Sequence, residues 1–207
     1  MDIFNKSGLL KITLVFFLSI VLFACQQMVT DAPKNEQLHS DKSCYAIVEI
    51  PAGTNKKMEL NKTTNRIEQD EIDGKKRMIN FLPYPGNYGY IPGTELSKEE
   101  GGDGDPLDVL IIGESQRSGT KMEVLPIGVL LLKDKGEEDS KIIAIPWEKE
   151  LRVINASDFA TFITEYNAAQ HIIQEWFLNY KGLGQTAFLG WKDEKFAKTI
   201  IQKWSKK

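Results

Sequence analysis

The run Glu100–Ile112 (EGGDGDPLDVLII) sets the strongest constraint on how this chain can fold. Three carboxylates, Asp103, Asp105 and Asp108, fall within six residues and lead straight into an apolar stretch that reads as a buried strand. Carboxylates crowded at the mouth of a core strand are costly unless cations neutralise them, and a hard divalent metal does so most economically. Asp103, Asp105 and Asp108 therefore read as the start of an oxygen-ligand site suited to Mg²⁺. A calcium-binding EF-hand loop fails on spacing, because Leu107 and Asp108 stand where a ligand and a glycine are required. On a regular strand Asp108 would point away from the other two, but Pro106 breaks that regularity and permits convergence. The plain alternative is a solvated acidic turn.

Around this run the chain is patterned mostly for strands. Tyr45–Ile50 ends at Pro51, and Lys56–Leu60 and Arg66–Gln69 flank a polar turn, which predicts a hairpin. Arg77–Leu82 is a further strand candidate, followed by a Pro- and Gly-rich segment, 83–93, read as irregular. Val109–Ile112, Val124–Leu132 and Ile142–Ile145 are short apolar runs expected to be buried strands. The period then changes. Phe159, Phe162, Ile163, Tyr166, Ala169, Ile172, Ile173, Trp176, Phe177 and Tyr180 form one helical stripe, with Ser157 as N-cap and Gly182 as stop. A second helix is expected over Asp193–Lys206. Strands followed by two helices predict a mainly β, α+β domain: a small barrel with helices packed on it.

A second acidic segment, Asp134–Lys141 (DKGEEDSK), joins two of these strands. Alone it reads as a charged hairpin loop; facing the first cluster, its Asp134 and Asp139 can add ligands. Other polar residues have equally plain readings when taken singly. Lys57 and Glu59 share a strand face, and Arg77 suits a surface ion pair. Tyr84 and Tyr88 lie in the Pro/Gly segment, and Tyr180-Lys181 ends the long helix, where a lysine complements the helix dipole.

The N-terminus is expected to lie outside the domain. Lys6 and Lys11 precede Ile12–Ala24, 13 residues that are too few to span a membrane and suit a signal-peptide core. Leu22-Phe23-Ala24-Cys25 resembles a bacterial lipoprotein processing site, which implies cleavage before Cys25 and a lipid on its thiol. An uncleaved anchor and ordinary secretion are the alternatives. This divides the chain into a signal peptide (1–24), a flexible tether (25–43) and one domain (44–207). It also predicts an exported protein, lipid-anchored to a bacterial membrane at its periplasmic or outer-membrane face. Cys44 reads as a packed, inert thiol, with a Cys25–Cys44 disulfide as the other possibility. A net charge of −3 argues against nucleic acid as a partner.

From Tyr45 onward the chain resembles the soluble family I inorganic pyrophosphatases. The elements that carry this are Val48-Glu49-Ile50-Pro51, Lys57-Met58-Glu59, Tyr84-Pro85-Gly86-Asn87-Tyr88-Gly89-Tyr90-Ile91, Asp103-Gly104-Asp105-Pro106-Leu107-Asp108-Val109, Asp134–Lys141 and Tyr180-Lys181. The resemblance implies a five-stranded, OB-like barrel and Mg²⁺-dependent hydrolysis of inorganic diphosphate using two or more ions. It implies Asp103, Asp108 and Asp139 as ligands of the activating metal pair, with Asp134 joining Asp139 on metal that arrives with substrate. Asp105 takes the place of the general base. Lys57, Arg77, Tyr88, Lys141, Tyr180 and Lys181 take the diphosphate grip, and Glu49, Glu59 and Tyr84 take supporting places. Lys76 competes with Arg77 for its position. A homo-oligomer is implied as well. The alternatives are an exported phosphate- or metal-binding barrel without activity, and hydrolysis of other phosphoanhydrides.

Overall fold

The computed structural model describes residues 40–100, 102 and 104–206. The expected signal segment, Cys25 and Asp103 lie outside the described residues. Strand β1 spans Cys44–Ile50, β2 Met58–Asn61, β3 Arg66–Gln69, β4 Glu71–Ile72, β5 Lys75–Lys76 and β6 Asn87–Tyr90. Then come β7 (Asp108–Ile111), β8 (Lys121–Asp134), β9 (Glu137–Glu138) and β10 (Lys141–Pro146). Helices α1 (Phe159–Glu165) and α2 (Asn167–Asn179) precede β11 (Thr186–Asp193), and α3 (Glu194–Trp204) follows it.

The main sheet closes on itself. β1 pairs with β6, β6 with β7, β7 in parallel with β10, β10 with β8, and the start of β8 returns to β1. This is the expected five-stranded barrel. β8 is long enough to serve two partners: Lys121–Val124 lies against β1, while Gly128–Asp134 carries β11. Strands β7 and β10 are apolar without alternation because both of their faces are covered. Val109, Ile111, Ile142 and Ala144 enter one core with α3 residues Ala197, Ile200 and Trp204. Leu110, Ile112, Ile143 and Ile145 enter the other, with Phe162, Ile173, Trp176 and Phe177 from α1 and α2.

Several elements differ from expectation. The Pro/Gly segment does contain a strand, β6, because two glycines let it enter the barrel. A Cβ on Gly89 would lie 1.9 Å from the Ile47 carbonyl oxygen, and one on Gly86 would lie 2.7 Å from that of Ile111. The strand expected at Arg77–Leu82 is reduced to a single bridge, Lys56 to Met78, because a separate hairpin, β4–β5, precedes it. The long helix breaks at Tyr166, whose hydroxyl accepts a hydrogen bond from the Asn155 amide at 3.1 Å. Its N-cap is Asp158, not Ser157; the Asp158 carboxylate accepts from the Thr161 amide at 2.7 Å. The chain does turn at Gly182, where φ is +107°. Strand β11 has no counterpart in the sequence reading.

Candidate active site

One barrel core turns polar where its strands end. Side chains two apart share a strand face, so the buried row Leu130–Leu132 on β8 continues to Asp134, and Leu110 on β7 is preceded by Asp108. On β10 the row of Ile145 and Ile143 ends at Lys141, and on β6 Tyr88 is followed by Tyr90. Asp108 and Lys141 are register partners on adjacent parallel strands. These rows open into a cavity of about 280 Å³ lined, among the described residues, by eight carboxylates, Glu49, Glu59, Asp105, Asp108, Asp134, Glu137, Glu138 and Asp139. Five cations, Lys57, Lys62, Arg77, Lys141 and Lys181, share its wall with Tyr88, Tyr90 and Tyr180.

The charges are matched closely. Lys141, only 2% exposed, places its ammonium against both Asp108 and Asp139. Burial works against that charge, yet the two carboxylates outweigh it and hold the ammonium above the ordinary lysine range. Asp139 shows the reverse balance: burial opposes its ionisation, while Lys141 and Lys181 hold its carboxyl below the usual range. Lys181 reaches Asp134 at 2.7 Å and Asp139 at 3.5 Å. Lys57 pairs with Glu59 at 3.1 Å and stands 5.5 Å from the centre of the Tyr88 ring. Burial, with Asp108 adding, lifts the Tyr88 phenol well above its ordinary range, so it keeps its proton and remains a donor.

Arg77 lines the cavity, whereas Lys76 pairs with Glu71 outside it. The reason is local. The β4–β5 hairpin is pinched at its base, where the Arg77 guanidinium meets Asp70 at 2.9 Å and the Arg77 amide donates to the Asp70 carbonyl at 2.7 Å. Glu49 accepts from the Leu60 amide at 2.7 Å, which ties β1 to β2, the strand that carries Glu59 and directly follows Lys57. Tyr84 is not on the cavity wall. It is 2% exposed and packs 4.5 Å from Trp176 and 5.2 Å from Tyr88, so it supports the wall from behind. Tyr180 stacks flat on Trp176 at 4.5 Å. Lys62, Tyr90, Glu137 and Glu138 line the cavity without having been singled out individually; the last two lie in the acidic loop, but a turn lysine carries no pattern that marks it.

Among the described residues no three carboxylate, histidine or cysteine groups converge tightly enough to hold a metal unaided. The donor set nevertheless suits one. Asp134 gives one oxygen to Lys181, while its other oxygen, Oδ1, is buried without a hydrogen-bond partner. A buried carboxylate oxygen with unused lone pairs, among several other carboxylates, matches a hard cation that takes oxygen ligands.

Comparison with known proteins agrees with this geometry. The family described as inorganic pyrophosphatase matches residues 46–207. An inorganic pyrophosphatase of Mesorhizobium japonicum is 36% identical over 161 residues, covering 75% of this chain and 84% of that protein. The crystal structure of the type I inorganic pyrophosphatase from Toxoplasma gondii superposes with a TM-score of 0.75 at 27% identity, over 84% of this chain and 83% of that one. A truncated Trypanosoma cruzi vacuolar soluble pyrophosphatase in complex with PPi superposes at 0.71 with 28% identity, over 87% of this chain and 73% of that one. With its barrel, its charged cavity and a family match over most of its length, the chain belongs to the inorganic pyrophosphatases.

Proposed function

We propose that this chain hydrolyses inorganic diphosphate to two phosphates with divalent cations, magnesium foremost. The observation that carries this reading is the cavity itself, where Asp105, Asp108, Asp134 and Asp139 meet Lys57, Arg77, Lys141 and Lys181 in a space sized for a small polyanion. Asp103, Asp108 and Asp139 would hold the activating ions, and Asp134 would join Asp139 on metal accompanying substrate. When bound, such ions acidify a water molecule and offset the charge of the phosphate oxygens. Asp105 accepts the proton of the attacking water. Lys57, Arg77, Lys141 and Lys181 orient the diphosphate and hold the charge that builds on the leaving phosphate. One unit-charge pair at ~4 Å contributes ~4 kcal/mol at an effective dielectric of ~20, so several together outweigh what neutral donors supply. Tyr88 and Tyr180 add hydroxyl donors without adding charge.

Phosphate release from diphosphate in the presence of Mg²⁺ tests the activity directly. Asp105→Asn should fold normally and lose at least about a hundredfold in turnover, the usual span for a general base. Release no faster than in buffer by the unaltered protein would end the proposal in favour of a phosphate-binding barrel. The basic, apolar N-terminal run supports export and lipid attachment at Cys25. Mass spectrometry of the mature protein should find an acylated cysteine as residue one, and an intact Met1 would overturn that assignment.

A further inference from the structure

We propose that Lys62 is an additional diphosphate-binding residue, a latch that leaves Asp105 for the incoming substrate. It rests on the reading of Asp105 as base. Lys62 sits in the turn between β2 and β3, and its ammonium contacts the Asp105 carboxylate and the Gly104 carbonyl oxygen, the latter at 3.2 Å. The turn is firmly built. The Asn61 side chain accepts from the Thr63 amide at 2.9 Å and the Thr64 amide at 3.1 Å, and donates to Glu68 at 3.0 Å. The lysine is thus delivered to the cavity by the same hairpin that delivers Lys57 and Glu59.

Two observations separate a latch from a brace. The loop bearing Asp105 is already secured by its own backbone. The Gly102 amide donates to the Ser97 carbonyl at 2.9 Å, Gly104 to Leu96 at 2.8 Å, and Leu96 to the Asp105 carbonyl at 2.8 Å. The Lys62–Asp105 pair is also exposed, its side chains 63% and 59% accessible, and an ion pair that open to water contributes little. The other cavity cations are held in deeper pairs: Lys57, Arg77, Lys141 and Lys181 have side chains 13%, 32%, 2% and 25% accessible. Lys62 is therefore the cation that can change partners most readily. A diphosphate entering the cavity offers this exposed ammonium a polyanion, and the exchange withdraws it from Asp105 as substrate arrives. No covalent bond is made or broken.

The probe is imidodiphosphate, a non-hydrolysable analogue, bound to the full chain in Mg²⁺ and measured by calorimetry alongside diphosphate kinetics. Lys62→Met should weaken analogue binding and raise KM by roughly two- to fivefold, the size of one exposed charge contact, with kcat within about twofold of the unaltered protein. Lys62→Arg should restore most of the affinity. Asp105→Asn should bind the analogue more tightly, and that gain should vanish in the double variant. Unchanged binding by Lys62→Met, or a fall in kcat with KM unaltered, would overturn the latch; the second result would make Lys62 a positioning residue. If Asp105→Asn kept full turnover, the assignment of the base would fail instead, and the binding results would still decide the role of Lys62.

Discussion

Glu49 is the residue whose burial has the clearest measurable consequence. It is 8% exposed, and its carboxyl is pushed up to about 7, first by burial and against the pull of the Leu60 amide and Lys57. The folded chain therefore holds the Glu49 proton more tightly than the unfolded chain does. Stability from this group is complete below the ordinary carboxyl range and is lost as pH rises towards about 7. The full loss is about 3 kcal/mol, from a shift of between two and three units. Glu49→Gln keeps an oxygen for the Leu60 amide and removes the titration. In metal-free protein the variant should match the unaltered chain near pH 4.5 and exceed it by about 3 kcal/mol at pH 8.5, read by urea unfolding. Equal stability at both pH values would show that Glu49 is not desolvated. Near neutral pH the folded chain thus holds Glu49 between its neutral and ionised forms, where a neighbouring cation can decide the balance.

At the scale of elements, β6 depends on a glycine. Gly89 pairs with Val48 and Val109 on either side, and the space its Cβ would need is filled by the Ile47 carbonyl oxygen 1.9 Å away. Gly89→Ala must separate β6 from β1 and open the barrel. It should cost more than about 4 kcal/mol or leave no soluble folded protein, as circular dichroism melting would register. An alanine at Gly136, where no atom lies within 4 Å but φ is +96°, should cost only the smaller strain of a left-handed turn. The same strand shows what the sequence could and could not reveal. The Pro/Gly composition of 83–93 masks a strand whose glycines serve close approach rather than a turn. The helical stripe from Phe159 to Tyr180 runs unbroken through Tyr166, so periodicity shows one helix where there are two. β11 is hidden because Phe188 and Leu189 are both exposed and Gly190, at φ +140°, interrupts the alternation. By contrast the buried strands β7, β8 and β10 and the acidic segments at their ends were legible, since burial on both faces writes a continuous apolar run. Lys62 was not, because only tertiary folding brings its turn to Asp105.

For the whole molecule, the decisive quantity is the charge imbalance gathered at one end of the barrel. Among the described residues eight carboxylates face five cations around the cavity, an excess of three negative charges when Glu49 is ionised. The apolar strands that end there fix the positions of these groups, so repulsion cannot be relieved by letting the side chains drift apart. Lys141 and Lys181 set two positive charges against the three negative ones of Asp108, Asp139 and Asp134, and the Asp134 Oδ1 atom is left buried without a partner. Divalent cations that bind only the folded arrangement must therefore stabilise it by mass action. At a hundredfold excess over the dissociation constant the gain is about 2.7 kcal/mol, which for a domain of this size raises the melting temperature by roughly 5–10 °C. Calorimetric melting in Mg²⁺ should show that rise over NaCl of matched ionic strength, because simple screening acts equally in both. A chelator should reverse it, and Asp139→Asn should remove most of it, each rise being read against the same variant's melting in NaCl. Identical melting in the two salts would mean that these carboxylates are balanced by the protein's own lysines and arginine, and that the barrel carries no metal site.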